Sequence, residues 1–334
     1  MRKALSLASW GYLILALGAW LLLKYGDSWW LATMVLFGPR WVVTIPLAVL
    51  LPFVVWVNRK LLFPLIAAAM VVAGPFTGLC LPLKRTSCNG NQELRVLTCN
   101  LNAGDFALSA LASLIRDAGC DIVALQECPR ELRLTLPPGW QMLREGELAI
   151  ASRYPLFPGG SLQAIHPPHK WPRASFLHGV VRAPRGDVAF CTVHLPSPRY
   201  GLQNILDRRT LLSVSRKGLL DAETVQRAQT SQEIQRIVRS ISGPVIVAGD
   251  FNMPVESSIY RRYWGGFANA FSKVGIGYGW TERSTVKGIE VGVRVDHVLT
   301  GAGLVPCACE AGPDVGSDHL PLLAAICRVS GNFP

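Results

Sequence analysis

Three long apolar stretches in the first 82 residues constrain this chain more than anything that follows them. Residues 4–23, ALSLASWGYLILALGAWLLL, carry no charge, and their length matches the ~20 residues that an α-helix needs to cross ~30 Å of hydrocarbon. Residues 41–57 (WVVTIPLAVLLPFVVWV) and 61–82 (LLFPLIAAAMVVAGPFTGLCLP) repeat the pattern. Across residues 1–82 the sole acid is Asp27, against six Lys and Arg. Helices without a polar stripe have no face to offer water, so three membrane crossings are expected rather than buried core helices. MRK could open a signal peptide, but no small-x-small cleavage site follows and further apolar segments do. The intervening WWLATMVLFGP is too short to span and suits the interface, with its tryptophans at headgroup depth.

Cytoplasmic loops are the ones enriched in Lys and Arg. MRK and the NRK at 58–60 would share that side, which places everything after Pro82 outside; Arg40 and the LKR at 83–85 carry the opposite bias. The expectation is a multi-pass protein of a bacterial-type plasma (inner) membrane with an extracytoplasmic domain. Residues 1–82 form the anchor, and residues 83–334, of ordinary globular composition, form one domain.

Net charge is +11, of which +6 belongs to the part after residue 82, with 27 basic and 21 acidic residues. Such a surface attracts phosphate backbones and anionic headgroups alike. The nine cysteines fit no zinc-ligand spacing, and several sit in apolar runs as small hydrophobes. An outside domain could oxidise a pair that includes Cys307, with a partner the sequence does not identify.

QELRVLTCNLNAG reads as an opening strand, FALSALASLIRDAG as a helix stopping at Gly119, and CDIVALQE as a buried strand. GELAIASRYPL, SFLHGVVRAP, DVAFCTVHLP, PVIVAGDFN, VRVDHVLTGAG and PLLAAICRV are further strand-like runs, and AETVQRAQTSQEIQRIVRSI is helical. Strands with helices inserted between some of them predict an α/β domain of two packed sheets with helices outside.

Polar residues gather at the ends of these runs: Asn100, Glu127, His194, Asp250 with Asn252, Asp296, and Asp318 with His319. Each alone has a bland structural reading, as a turn cap, a loop acid or a satisfied half-buried histidine. Carboxylates clustered at strand ends are costly to desolvate and call for a cation. Oxygen ligands without cysteine favour Mg²⁺ or Mn²⁺, which would polarise a phosphoryl oxygen. The histidines could move a proton at the attacking water and donate to the phosphate.

LTCNLN, IVALQE, VHLP, GDFN, RVDHVL and GSDHLP, in this order, resemble the signature of the endonuclease/exonuclease/phosphatase superfamily, which includes DNase I, apurinic endonucleases, bacterial sphingomyelinases and inositol polyphosphate 5-phosphatases. The resemblance covers residue 94 to about 328 and implies a four-layer α/β/β/α sandwich. It implies that Asn100 and Glu127 hold the metal with Asp318 nearby, and that His194 contacts the phosphate or acts as an acid. Asp250 would orient or deprotonate the attacking water, Asn252 would bind the scissile phosphate, and Asp296 would orient His319. The turn expected at Gly249 would let Asp250 and Asn252 reach one phosphate. Asn102 stands where some relatives use an acid, which puts a second metal in doubt; His297 replaces a common aromatic and receives no role.

An N-terminal hydrophobic bundle before such a domain is similar to the membrane-bound VanJ-type group, which implies action on polyprenyl phosphates or pyrophosphates at the outer face. Membrane lipids are therefore the expected partners, with nucleic acid as the alternative substrate and a catalytically inactive phospholigand-binding module as a third reading. No protein partner is inferable. Arg199, Arg208, Arg209, Arg216 and Lys217, mixed with leucines in 197–220, suit either an amphipathic element facing headgroups or a solvated helix face. Lys170, Trp171 and Arg173 could form a phosphate-binding loop or a basic turn.

Overall fold

The computed structural model describes residues 1–82, 93–104, 108–163, 174–207, 218–286 and 289–329. Lys170, Trp171, Arg173, Arg208, Arg209, Arg216, Lys217 and the LKR at 83–85, singled out in the sequence, lie outside these residues. The chain divides into two compact units, Met1–Cys80 with Glu256–Ser258, and Leu81–Val255 with Ile259–Pro334.

In the first unit, α1 (Arg2–Leu23), α2 (Trp30–Phe37), α3 (Ile45–Val57) and α4 (Leu62–Val71) include three stretches long and apolar enough to cross a membrane, Arg2–Leu23, Arg40–Val57 and Arg59–Phe76. They pack through a thin seam that includes Tyr12, Ala16, Leu65, Ala68 and Phe76. Their other faces leave Ile14, Trp56, Phe63 and Met70 at least 65% exposed. Apolar surface on that scale is what a helix presents to lipid. The third stretch was expected to run to residue 82, but regular helix ends at Phe76: Pro75 removes a backbone donor and Gly78 takes a left-handed φ of 82°. The short α2 fits the segment read as too short to span, and it buries Leu36 in the same seam.

The second unit is built from strands β1 (Glu93–Asn100), β2 (Ile122–Gln126), β3 (Gln141–Glu145), β4 (Leu148–Ser152), β5 (Leu156–Gln163), β6 (Ala174–Ala183), β7 (Gly186–His194), β8 (Val245–Asp250), β9 (Ala268–Asn269), β10 (Glu282–Val286), β11 (Ile289–Val293), β12 (Asp296–Thr300), β13 (Leu304–Ala311) and β14 (Leu322–Arg328). Its helices are α5 (Leu108–Asp117), α6 (Arg199–Leu206), α7 (Gly218–Ser240), α8 (Ser258–Tyr263) and α9 (Ala270–Val274). Two six-stranded sheets form, in the orders β13-β14-β1-β2-β4-β3 and β5-β6-β7-β8-β12-β9, with β10 and β11 as a separate hairpin. Both sheets are mixed, each with one parallel pair, β1 with β2 and β7 with β8. This is the expected pair of stacked sheets with helices outside, a DNase I-like fold.

Apolar periodicity explains the layers. In α5, Leu108, Leu111 and Ile115 recur at helical spacing, and they pack with Leu97, Cys99, Val123 and Leu125 of β1 and β2. The alternate residues of these strands face the second sheet, where a buried polar tie joins the layers: Gln126 Nε2 donates to Thr98 Oγ1 at 3.1 Å and to Thr192 Oγ1 at 2.8 Å. Fully satisfied contacts of this kind fix sheet-to-sheet register beneath the strand ends.

Strand register then places the chemistry. His194 pairs with Asp250 across the parallel β7–β8 ladder, and Asp250 pairs with Asp296 across the antiparallel β8–β12 ladder. Three ionisable residues thus lie in one row. The sequence reading set Asp296 after the run VRV, but it opens β12, and Asp318 and His319 precede β14. Antiparallel strands bring their beginnings to the edge where parallel strands finish, which is why both kinds of position meet.

Gly249 differs from its expected role. It is not a turn but the penultimate residue of β8, with φ 148°, and a Cβ there would overlap Val193 O. Close approach of β7 and β8 is what requires glycine. The turn comes afterwards, at Asn252, whose φ is 49°.

Candidate active site

Asp250 Oδ2 is the centre of a buried polar cluster. Asn100 Nδ2 donates to it at 3.0 Å from the end of β1, and Asn252 Nδ2 at 3.1 Å from beyond β8. The Asn252 backbone N–H donates to the other oxygen, Oδ1, at 2.8 Å. Two imidazoles approach the same Oδ2, His194 Nε2 at 3.7 Å and His319 Nε2 at 4.0 Å. Each ring is held from behind by a carboxylate on its Nδ1: Glu147 at 2.7 Å for His194, and Asp296 at 2.8 Å for His319. Two imidazole–carboxylate dyads therefore flank one aspartate.

Local backbone geometry aims these groups. Glu127, one residue past β2, has φ 49°, a left-handed conformation that costs energy without glycine and is found where a side chain must be turned into a site. Its Oε1 accepts from Asn100 Nδ2 at 3.1 Å and lies 3.5 Å from His194 Nε2. Ser317 ties the His319 loop to β1, donating to Asn100 O at 2.7 Å and accepting from the His319 N–H at 3.2 Å. Thr281 Oγ1 receives the Asp296 N–H at 3.1 Å and the Val295 N–H at 3.2 Å.

The electrostatics follow from this packing. Burial disfavours charge on His194, but Glu147, Asp250 and Glu127 outweigh it and push its pKa up to about 9. Burial likewise opposes charge on His319, and Asp296 and Asp250 lift its pKa to about 10. For Asp250, burial and the neighbouring Asp296 raise the pKa, while the two histidines pull it back. Near neutral pH both rings carry a proton, and Asp250 is a stronger base than a surface aspartate.

Cation ligands are available in two arrangements. Asp250, Asp296 and His319 offer ligand atoms within 4.8 Å of one another, whereas the resemblance pointed to Asn100, Glu127 and Asp318. Asp296 Oδ1 and Asp318 Oδ1 are buried without a hydrogen-bond partner. Orphaned carboxylate oxygens at a strand-end cluster suit a hard divalent cation, so the residues present fit one.

Residues 97–319 match the Endonuclease/Exonuclease/phosphatase family. The chain belongs to that family. No curated protein matches the sequence. Among solved structures, the chain is similar to an endonuclease/exonuclease/phosphatase family protein from Leptotrichia buccalis, at 14% identity and TM-score 0.52, with 70% of this chain and 99% of that one covered. A functionally unknown conserved protein from Enterococcus faecalis aligns at 15% identity and TM-score 0.51, over 71% of this chain and 100% of that one. A family protein from Bacteroides thetaiotaomicron aligns at 15% identity and TM-score 0.50, over 72% and 98%. At these identities the likeness is one of fold. As an endonuclease/exonuclease/phosphatase family member, the chain is a hydrolase of phosphodiester or phosphate ester bonds, in a family whose enzymes typically depend on a divalent metal.

Most of the residues singled out from this family's motifs converge: Asn100, Glu127, His194, Asp250, Asn252, Asp296 and His319 are joined by the contacts above. Asp318 sits at the rim, where its Oδ2 lies 3.4 Å from Arg199 Nη2. Asn252, implied to bind the phosphate, gives its amide hydrogens to Leu195 O at 2.8 Å and to Asp250 Oδ2 at 3.1 Å in this structure. Here it orients the aspartate. Asn102 is exposed at a left-handed turn and adds only its N–H, given to Asn100 Oδ1 at 2.8 Å.

His297 is a satisfied buried histidine. Its Nε2 lies 3.0 Å from Met253 O and its Nδ1 3.1 Å from Asn269 Nδ2, and burial drives its pKa down to about 3, so the ring is neutral. It steadies the turn after Asp250. Glu147 is the residue that sequence reasoning missed. It stands before the apolar run LAIAS, at the beginning of an antiparallel strand, and its carbonyl receives the Cys128 N–H at 2.9 Å, next to Glu127. An acid opening a buried strand was the available signal, since Asp296 carries the same one.

Proposed function

We propose that this chain is a membrane-anchored, divalent-metal-dependent phosphohydrolase that cleaves a phosphate ester or pyrophosphate of a membrane lipid, such as a polyprenyl (pyro)phosphate, at the extracytoplasmic face. The observation that carries the chemistry is the pair of dyads around Asp250. A divalent ion held by Glu127 and Asp318 with Asn100, or by Asp250 and Asp296, would supply charge stabilisation for the phosphoryl oxygens and the leaving oxyanion. The chain's own groups do the rest. Asp250, fixed by three N–H donors, orients a water and takes its proton as the oxygen attacks phosphorus. His319, locked by Asp296, presents Nε2–H to the phosphate. His194, locked by Glu147, gives its Nε2 proton to the leaving oxygen as the phosphorus–oxygen bond breaks.

Three spans and the charge bias of their flanks support a lipid substrate and an outside domain. Cys307 is disulfide-bonded, which suits an oxidising compartment, while the free cysteines among the described residues include the buried Cys99, Cys120, Cys128 and Cys191. A membrane anchor on the same chain favours a substrate that is itself in the membrane. A hydrophobic N-terminal bundle ahead of this domain resembles the arrangement of the VanJ-type group, which supports a lipid reading. The competing reading is a tethered nuclease, which the +6 charge after residue 82 favours, and it predicts salt-sensitive binding to DNA.

The test is hydrolysis by purified full-length protein with Mg²⁺ or Mn²⁺ of polyprenyl diphosphate, phospholipid vesicles and plasmid DNA, beside Glu127→Ala and His319→Ala. Phosphate released from the prenyl lipid, lost in both variants, is expected. DNA cleavage without lipid hydrolysis, abolished by both substitutions, would replace the lipid reading with the nuclease one.

A further inference from the structure

Arg199 lies in the basic segment read as facing headgroups or solvent, and its half-exposed side chain also pairs with two carboxylates. It begins α6, five residues after His194, and α6 is pressed onto α7 at Gly201, where a Cβ would lie 2.5 Å from Leu220 Cα. The helix start is thereby fixed, and the Arg199 side chain reaches across the mouth of the site. Its Nη2 lies 3.3 Å from Glu282 Oε1 and 3.4 Å from Asp318 Oδ2. Both carboxylates adjoin His319: Asp318 precedes it in sequence, and Glu282 pairs with it in an isolated β-bridge.

The nature of these pairs is informative. A guanidinium offers five donors in a planar fork, and a carboxylate taken bidentately is its strong partner. Arg199 instead shares one nitrogen between two carboxylates at long distance, and its side chain remains 47% exposed. Exposed pairs of this sort are weak. The fork is parked rather than consumed, and an incoming anion with matching geometry can take it over.

We propose that Arg199 is a specificity-determining residue that binds a second phosphate group, adjacent to the scissile one, so that the site favours diphosphate esters over diesters. This rests on the phosphohydrolase reading and narrows its substrate class. A diester carries one negative charge, and the donors of His194 and His319 are already at hand for it. A diphosphate brings further anionic oxygens, and at this rim the neighbouring groups Glu282 and Asp318 would repel them without Arg199. The same cation that screens these two carboxylates in the absence of ligand turns its fork to the second phosphate when one arrives.

The experiment compares wild type, Arg199→Gln and Arg199→Lys as full-length protein on a prenyl diphosphate and on bis(p-nitrophenyl) phosphate. Inorganic pyrophosphate and inorganic phosphate serve as competitive inhibitors of diester cleavage, and thermal unfolding checks the fold. Arg199→Gln should lower kcat/KM for the diphosphate at least about tenfold more than for the diester, mainly through KM, the scale of one charge-assisted hydrogen bond. It should weaken inhibition by pyrophosphate more than by phosphate. Arg199→Lys should recover part of each, since it restores charge without the fork. Equal losses on both substrates, or an unchanged ratio, would overturn the inference and make Arg199 a strut between α6 and the His319 loop. Wild-type protein inert towards every phosphoester would instead overturn the phosphohydrolase reading itself.

Discussion

Glu147 Oε1 lies 2.7 Å from His194 Nδ1, on the side of the ring away from Asp250. This contact joins the β3–β4 turn of one sheet to the end of β7 in the other, and it fixes both the direction and the charge of the imidazole. It mirrors the Asp296–His319 contact, so a site that reads in sequence as a scatter of acids and histidines is a pair of matched dyads.

Replacing Glu147 by Gln keeps the shape and removes the main counter-charge to the buried ring. With burial then opposed only by Asp250 and Glu127, the His194 pKa should fall from about 9 towards the ordinary histidine range. If His194 acts as the acid, the alkaline limb of the kcat/KM profile should move to lower pH by more than one unit, with activity at pH 8 reduced about 10-fold and partly recovered at pH 6. An unshifted profile would remove His194 from the proton-transfer role.

Gly249→Ala tests the strand geometry that places Asp250. The new Cβ would collide with the Val193 backbone at a φ of 148°, and neither strand can retreat without breaking the His194–Asp250 register. Strain of that kind costs about 3 kcal/mol or more, on the order of 10 °C in Tm for a domain of this size. A variant with wild-type Tm would show that β7 and β8 do not approach this closely.

Stability of metal-free protein should decline as pH rises. His194 and His319 have folded pKa values of about 9 and 10, above the ordinary 6.5, and the Asp250 pKa is raised as well, so the folded state binds more protons than the unfolded one throughout this range. The contribution of the histidines is complete below about pH 6.5 and disappears as pH passes through about 9 to 10. Thermal unfolding in EDTA across pH 6 to 10 measures it. His319→Gln should flatten the slope; a Tm that rises with pH in wild type would contradict the assigned charge states.

Much of this was legible in the chain itself. The three apolar stretches and the strand-end acids identify themselves because hydrophobic period and interruption are local properties. GDFN and GSDH mark their loops for the same reason. What sequence could not supply was direction. An acid before an apolar run looks like a solvated turn until an antiparallel neighbour carries it to the active edge, and Glu147 stayed invisible on that account. Gly249 illustrates the same limit: a glycine before a polar pair suggests a turn, whereas its cause is the Val193 backbone, 56 positions earlier and adjacent only after β7 and β8 pair. Arg199 looked like one of five cations in a basic segment, and its position at the site's rim follows from the packing of α6 on α7.

Convergence of both dyads on Asp250 is the central claim, and a mutant cycle in the metal-loaded full-length enzyme tests it most directly. Phosphoester hydrolysis would be measured for Asp250→Asn, His194→Gln, His319→Gln and the doubles that combine either histidine change with Asp250→Asn. Groups acting as one unit lose their contributions together, so Asp250→Asn should cost about 10³-fold or more and each double should be little worse than Asp250→Asn alone. Fully multiplicative losses, or an Asp250→Asn enzyme turning over at the wild-type rate, would contradict it.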